Sequence, residues 1–160
     1  MTLGILGGGQ LARMLCLDAR RMGVRTVVWS GTPSAEPTEG VADLVLKRNF
    51  DAVEALEEFC SQVDVATVEF ENIPLETLEA VEETVGLYPS AESIGVSQHR
   101  SREKTFFREQ GIPCEPFMLV NSFAELDVAY EKIGPATVLK TGAFGYDGKG
   151  QVKITSVEVL

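Results

Sequence analysis

Short apolar runs rich in β-branched residues alternate with helical stretches through residues 1–90, and this rhythm constrains the fold more than any other feature of the chain. Thr2–Leu6 (TLGIL) runs into three glycines and reads as a buried strand of a parallel sheet. Gln10–Met22 carries Leu11, Met14, Leu15, Leu17 and Met22 at near-helical spacing, and Gly23 supplies the stop. Arg25–Ser30 predicts a second strand, Gly31–Gly40 a loop rich in Gly, Pro, Ser and Thr, and Ala42–Leu46 a third strand. Asp51 with Glu54 forms a D-x-x-E capping signal for a helix that buries Val53, Leu56, Phe59 and Cys60. Val63–Phe70 predicts another strand. Pro74 then opens a helix carrying Leu75, Leu78 and Val81, and Gly86–Tyr88 reads as a last strand before Pro89. Repeated strand–helix alternation implies an α/β fold, a parallel sheet with helices on both faces.

A second unit is expected from residue 93, so the organisation reads as 1–92 followed by 93–160. Gln98–Gln110 predicts a charged helix with Phe106 and Phe107, and residues 112–120 an extended stretch interrupted by Pro113 and Pro116. Ser122 caps a further helix to about Ile133. Ala136–Thr141 predicts a strand, followed by the loop GAFGYDGKGQ and the strand VKIT. Roughly 65 residues are few for an independent core. The second unit reads as unfinished at Leu160, and the chain is expected to be part of a longer polypeptide.

Composition removes several classes of function. Apolar residues make up 44% and charged residues 24%, so disorder is excluded by composition. No apolar run reaches the roughly 18 residues of a membrane span, and MTLGILGGGQ lacks the basic region of a secretory signal. A net charge of −10 argues against nucleic acid as the main partner, because neutralising a phosphate backbone needs clustered Lys and Arg. Cys16, Cys60 and Cys114 form neither a disulfide framework nor a zinc pattern, and read as buried free thiols in a reducing compartment.

Three places could carry chemistry. Gly7, Gly9 and Ala12 satisfy G-x-G-x-x-G/A between a strand and a helix, where backbone N–H groups face an anion. A dinucleotide would need an acid at the end of the second strand, and Ser30 stands there. A different phosphate or carboxylate ligand, or merely a tight turn, stays open. Glu69 and Glu71 lie at the C-terminal end of a strand, on one side by alternation, where either could accept hydrogen bonds from ligand hydroxyls. The plainer reading is a solvated strand end with Asn72 as a helix cap. Lys140 ends an apolar strand and is followed by Gly142, Gly145, Gly148 and Gly150, a segment whose N–H groups could wrap phosphates or simply form a hairpin. His99 reads as solvated or capping, and Glu76, Glu79, Glu82 and Glu83 as the solvent face of a helix.

GILGGGQLARML, VEFENI, HRSREK and VLKTGAFGYDGKGQ occur in a fixed order. In them the chain resembles the N-terminal portion of the N5-carboxyaminoimidazole ribonucleotide synthetase family, ATP-dependent carboxylases of purine biosynthesis in the ATP-grasp superfamily. GGGQL with EFEN is partly shared with formate-dependent glycinamide ribonucleotide transformylase, an alternative ATP-grasp ligase; a Rossmann-type NAD(P)-binding module is the other competing class. The resemblance implies a Rossmann-like pre-ATP-grasp domain followed by the start of an α+β ATP-grasp domain. It implies that ATP phosphorylates bicarbonate to carboxyphosphate, which carboxylates the amine of aminoimidazole ribonucleotide. Arg100, Lys140, Gly145, Tyr146, Asp147, Gly148, Lys149, Gly150 and Gln151 match ATP-binding positions. Gln10, Leu11 and Glu69 match positions that hold the ribonucleotide. Tyr146, Asp147 and Lys149 match residues near the aminoimidazole, with Asp147 and Lys149 as the catalytic pair; the family often has Arg where Lys149 stands. Mg2+ is implied with ATP, its ligands expected beyond residue 160 and none in this chain. A cytoplasmic homodimer is implied, with no membrane or nucleic-acid partner.

Overall fold

The computed structural model describes residues 1–143 and 150–154, which divide into two compact units, Met1–Gly95 and Val96–Leu160. The first unit contains β1 (Thr2–Leu6), α1 (Gln10–Arg21), β2 (Arg25–Gly31), β3 (Leu44–Asn49), α2 (Val53–Gln62), β4 (Val65–Val68) and α3 (Leu75–Val85). The short helix α4 (Ala91–Ser97) spans the division. The strands form one parallel sheet in the order β3-β2-β1-β4, with Leu3 opposite both Thr26 and Val65.

Alternation explains why these strands read as continuous apolar runs. Leu6, Val27 and Trp29 pack on one face with Phe59, Leu78 and Val81. Ile5 and Val28 pack on the other with Ala12 and Cys16 of α1. Both faces are covered, so both phases of each strand must be apolar. Trp29 anchors the larger core: its ring lies 5.3 Å from Phe50 and 5.8 Å from Phe59, and its indole N–H donates to the Arg48 carbonyl at 3.0 Å.

Several boundaries differ from the sequence-based expectation. The third strand starts at Leu44 rather than Ala42, because the Asp43 carboxylate takes the Thr26 N–H at 2.8 Å before the ladder begins. The fourth is confined to Val65–Val68. The Gly86–Tyr88 strand is reduced to a single parallel bridge between Ala66 and Leu87. Asp51 does not cap α2: the N-cap is Ala52, one residue later, with no side-chain bond. Asn72 does not cap α3, whose N-cap is Pro74; its amide donates to Glu71 instead. The buried stripe of α1 is Ala12, Cys16 and Ala19, small residues that let the helix lie close to the sheet, while Leu11, Met14, Leu15 and Met22 are exposed. Val53 is exposed as well, and Cys60 and Cys114 are half-buried, leaving Cys16 as the one fully buried thiol. Burial pushes the Cys16 thiol above its ordinary range.

The second unit holds α5 (Arg100–Glu109), α6 (Phe123–Ile133) and an antiparallel pair, β5 (Thr137–Lys140) and β6 (Gln151–Ile154). Ser122 caps α6 as expected, accepting from the Glu125 N–H at 3.3 Å. His99 caps α5 through its Nδ1. Among the described residues no helix is long and apolar enough to cross a membrane.

Phe59 is fully buried and Val53 is 64% exposed on the same helix. Phe59→Ala should therefore cost about 3–5 kcal/mol of stability, and Val53→Ala less than about 0.5 kcal/mol. Urea unfolding of the two variants checks both values.

Candidate functional site

In the first unit the chemistry gathers where β1 meets α1. Gly7 has φ +105°, in the left-handed region that favours glycine, and its N–H donates to the Trp29 carbonyl at 2.8 Å. Gly9 is the N-cap of α1, which has no side-chain cap and no acid in its first turn. The missing anion comes from the end of β4: the Gly9 N–H donates to Glu69 Oε2 at 3.4 Å. The approach is tight. A Cβ on Gly7 would stand 2.9 Å from Glu69 Cβ, and one on Gly9 would stand 2.5 Å from Glu69 Oε1. A Cβ on Gly8 would meet Ser30 and Glu36, each at 3.0 Å. The positive end of α1 thus already faces a carboxylate of the protein itself. A ligand group that donates hydrogen bonds, such as a hydroxyl, complements this place; a phosphate would meet the charge of Glu69.

Of the two acids at the end of β4, Glu69 is the one against the glycine turn. The strand ends at Val68, so alternation no longer pairs Glu69 with Glu71. Phe70 turns inward towards Phe50, at 6.2 Å, and Glu71 accepts from Asn72. Gln10 and Leu11 open α1 and are exposed beside the turn. Ser30, where a dinucleotide fold would need an acid, is buried and donates to the Thr32 carbonyl at 2.7 Å. The loop after β2 is pinned by Glu39, whose carboxylate accepts from the Glu36 N–H at 2.9 Å and pairs with Lys47 at 3.1 Å. Those contacts, the Glu36 N–H first, hold the Glu39 carboxyl below its ordinary range.

In the second unit a cavity of about 800 Å³ is lined by Arg100, Lys104, Lys140, His99 and Glu115 together with Phe117, Tyr130 and Ile154. Arg100 is the first residue of α5, and its N–H donates to the Gly142 carbonyl at 2.7 Å. Lys140 ends β5 opposite Gln151 of β6. The Thr141 N–H donates to the Gly150 carbonyl at 2.8 Å, so the two ends of the glycine segment are held together by backbone. Gly145, Tyr146, Asp147, Gly148 and Lys149 lie outside the described residues. Glu115 is the sole acid in the described lining. Its carboxyl is held below the ordinary range by a backbone hydrogen bond first and then by Lys104 and Lys140. Lys104, paired with Glu115 at 3.7 Å, was not singled out from the sequence. The signal was its place four residues after Arg100, on the same helix face. Among the described residues no group of three or more His, Cys, Asp or Glu side chains is placed to hold a metal ion.

Comparison with known proteins gives two matches to family models. The ribonucleotide synthetase preATP-grasp domain matches residues 1–98, and the ATP-grasp domain matches residues 105–160. The bifunctional purine synthesis protein purC/E of Dictyostelium discoideum is 44% identical over 155 residues, covering 96% of this chain and 15% of that protein. The N5-carboxyaminoimidazole ribonucleotide synthase of Brucella melitensis biotype 1 is 38% identical over 160 residues, covering 98% of this chain and 43% of the relative. The crystal structure of N5-carboxyaminoimidazole synthetase from Staphylococcus aureus complexed with ADP superimposes with a TM-score of 0.91 at 35% identity. That match covers 98% of this chain and 42% of the other. The chain therefore spans about two fifths of the length of the synthase and the synthetase.

The glycine turn predicts an asymmetry between two substitutions. Gly7→Ala meets both an unfavourable φ and the fixed Cβ of Glu69, and should cost about 1–3 kcal/mol. Gly9→Ala meets only the end of a flexible side chain and should cost less. Equal losses in urea unfolding would contradict the tight approach of Glu69 to the turn.

Proposed function

We infer the function from the family: the chain belongs to the ribonucleotide synthetase preATP-grasp family and continues into an ATP-grasp domain, and we propose that it is part of an ATP-dependent N5-carboxyaminoimidazole ribonucleotide synthetase of purine biosynthesis. The reaction is the carboxylation of aminoimidazole ribonucleotide by bicarbonate, with ADP and phosphate released. The observation that carries this reading is the pairing, in one chain, of a glycine turn closed by Glu69 with a cavity lined by three cations and one acid among its described residues. A donor-accepting carboxylate suits ribose hydroxyls. A cationic cavity suits a triphosphate.

Arg100 and Lys140 are assigned to the ATP phosphates, where a positioned cation stabilises the charge that develops on the transferring oxygens. Gly150 and Gln151, at the far end of the same hairpin, and residues 145–149 complete the proposed ATP site. Phosphoryl transfer to bicarbonate gives carboxyphosphate, a species that water destroys, so the site must exclude water during the reaction. Attack of the exocyclic amine on the carboxyl carbon then forms the new C–N bond and releases phosphate. Asp147 is assigned to accept the amine proton, and Lys149 to stabilise the carboxyl group beside it. Gln10, Leu11 and Glu69 hold the ribonucleotide, with Tyr146 against the aminoimidazole. Mg2+ accompanies ATP in this proposal, its ligands supplied by residues outside 1–160. A homodimer in the cytoplasm belongs to the same proposal.

The test is ADP formation by the natural full-length protein. Turnover should require aminoimidazole ribonucleotide and bicarbonate together. Dependence on glycinamide ribonucleotide and formate instead would overturn the assignment. In that protein Glu69→Gln should raise the KM for aminoimidazole ribonucleotide roughly tenfold to a hundredfold while leaving that for ATP unchanged, the loss expected for a hydrogen bond to a charged group. Lys140→Ala should raise the KM for ATP and lower kcat, because a cation at the phosphates binds the ground state and stabilises the charge developing in the transition state more strongly still. Asp147→Asn should cut carboxylated product by on the order of 10²-fold with ATP binding near normal.

A further inference from the structure

The loop after β2 is mostly exposed, yet Thr38 within it has no accessible surface. Its two donors go to one acceptor. The Thr38 N–H donates to the Gly8 carbonyl at 3.3 Å, and Thr38 Oγ1 donates to the same oxygen at 3.2 Å. The Thr38 carbonyl in turn accepts from the N–H groups of Val41 and Ala42, which folds the loop back on itself.

The Gly8 carbonyl and the Gly9 N–H belong to one planar trans peptide and point in opposite directions. The carbonyl end is held by Thr38 and the N–H end donates to Glu69. Glycine on both sides leaves this peptide unusually free to rotate. Rotation would turn a carbonyl oxygen towards the Glu69 carboxylate, an unfavourable approach of acceptor to acceptor. We propose that Thr38 is a positioning residue of the ribonucleotide site, fixing the Gly8–Gly9 peptide so that Glu69 is presented to the ligand in one orientation. This rests on the functional reading above. Thr38 touches no ligand in this arrangement and acts through the peptide it holds.

The test uses the natural full-length protein and two variants. Thr38→Val keeps the shape and the backbone donor but removes the hydroxyl; Thr38→Ser keeps the hydroxyl. Loss of one neutral hydrogen bond should speed hydrogen exchange at the Gly9 amide about three- to tenfold and raise the KM for aminoimidazole ribonucleotide by a similar factor. The KM for ATP and kcat should not change, and Thr38→Ser should match wild type in every reading. An unchanged ribonucleotide KM in Thr38→Val, an equal rise for ATP, or a raised ribonucleotide KM in Thr38→Ser would each overturn the proposal. If the Val variant fails to fold, Thr38→Ala, which also keeps the backbone donor and removes the hydroxyl, takes its place with the same expected readings. Wild-type protein that makes no ADP with aminoimidazole ribonucleotide would overturn the functional reading instead. Exchange at Gly9 does not depend on that reading and still tests whether Thr38 holds the peptide.

Discussion

The Glu69 carboxylate lies so close to the turn after β1 that a Cβ on Gly7 or Gly9 would collide with it, and the arrangement of the first unit around that turn follows. Helix α1 starts without a side-chain cap and without an acid of its own. The charge that complements its N-terminus arrives from a residue 60 positions later. That residue reaches the turn because β4 pairs with β1 in register, Leu6 opposite Val68, and because the Glu69 N–H still bonds to the Leu6 carbonyl at 2.8 Å. Sheet pairing and the completion of the helix N-terminus are one arrangement here. The turn cannot be completed until β4 is in place, because the carboxylate that completes it follows that strand directly.

The second unit uses backbone in a comparable way. The N-terminus of α5 is tied to the base of the glycine segment through the Arg100 N–H and the Gly142 carbonyl. A Cβ on Gly142 would stand 2.7 Å from the His99 ring, which explains the glycine at that position. Arg100 and Lys140 are thus brought to one cavity by main-chain contacts. The exposed Glu115 is a weak partner for Lys104, because an ion pair in water contributes little.

Much of this was legible in the sequence. β1, β2, the helix after the glycine turn and the hairpin strands were readable because apolar alternation and glycine punctuation act locally. The boundaries that shifted depend on contacts far along the chain. Asp43 delays β3 by bonding to Thr26, and Ala52 rather than Asp51 caps α2 because the turn from Asn49 closes through backbone. Helix α4 was missed, although Ser90 carries a capping signal: its Oγ accepts from the Ser93 N–H. The apolar residues of α1 were misleading for a physical reason. The face against the sheet needs small side chains, so Ala12, Cys16 and Ala19 are buried where Leu11 and Met14 would not fit. Glu69 was identifiable as a candidate from its place at a strand end. Its preference over Glu71 was not, because the strand stops one residue before it. Thr38 could not be found by pattern, since its partner is 30 residues away.

A glycine turn that already faces the Glu69 carboxylate is complementary to hydroxyl groups rather than to phosphate. The most direct measurement is the amide resonance of Gly9 in the natural full-length protein. It is followed while the aminoimidazole ribonucleoside, which lacks phosphate, and inorganic phosphate are titrated separately. Gly9 should shift saturably with the ribonucleoside and not with phosphate at equal concentration. A Gly9 resonance that moves with phosphate and ignores the ribonucleoside would contradict that complementarity.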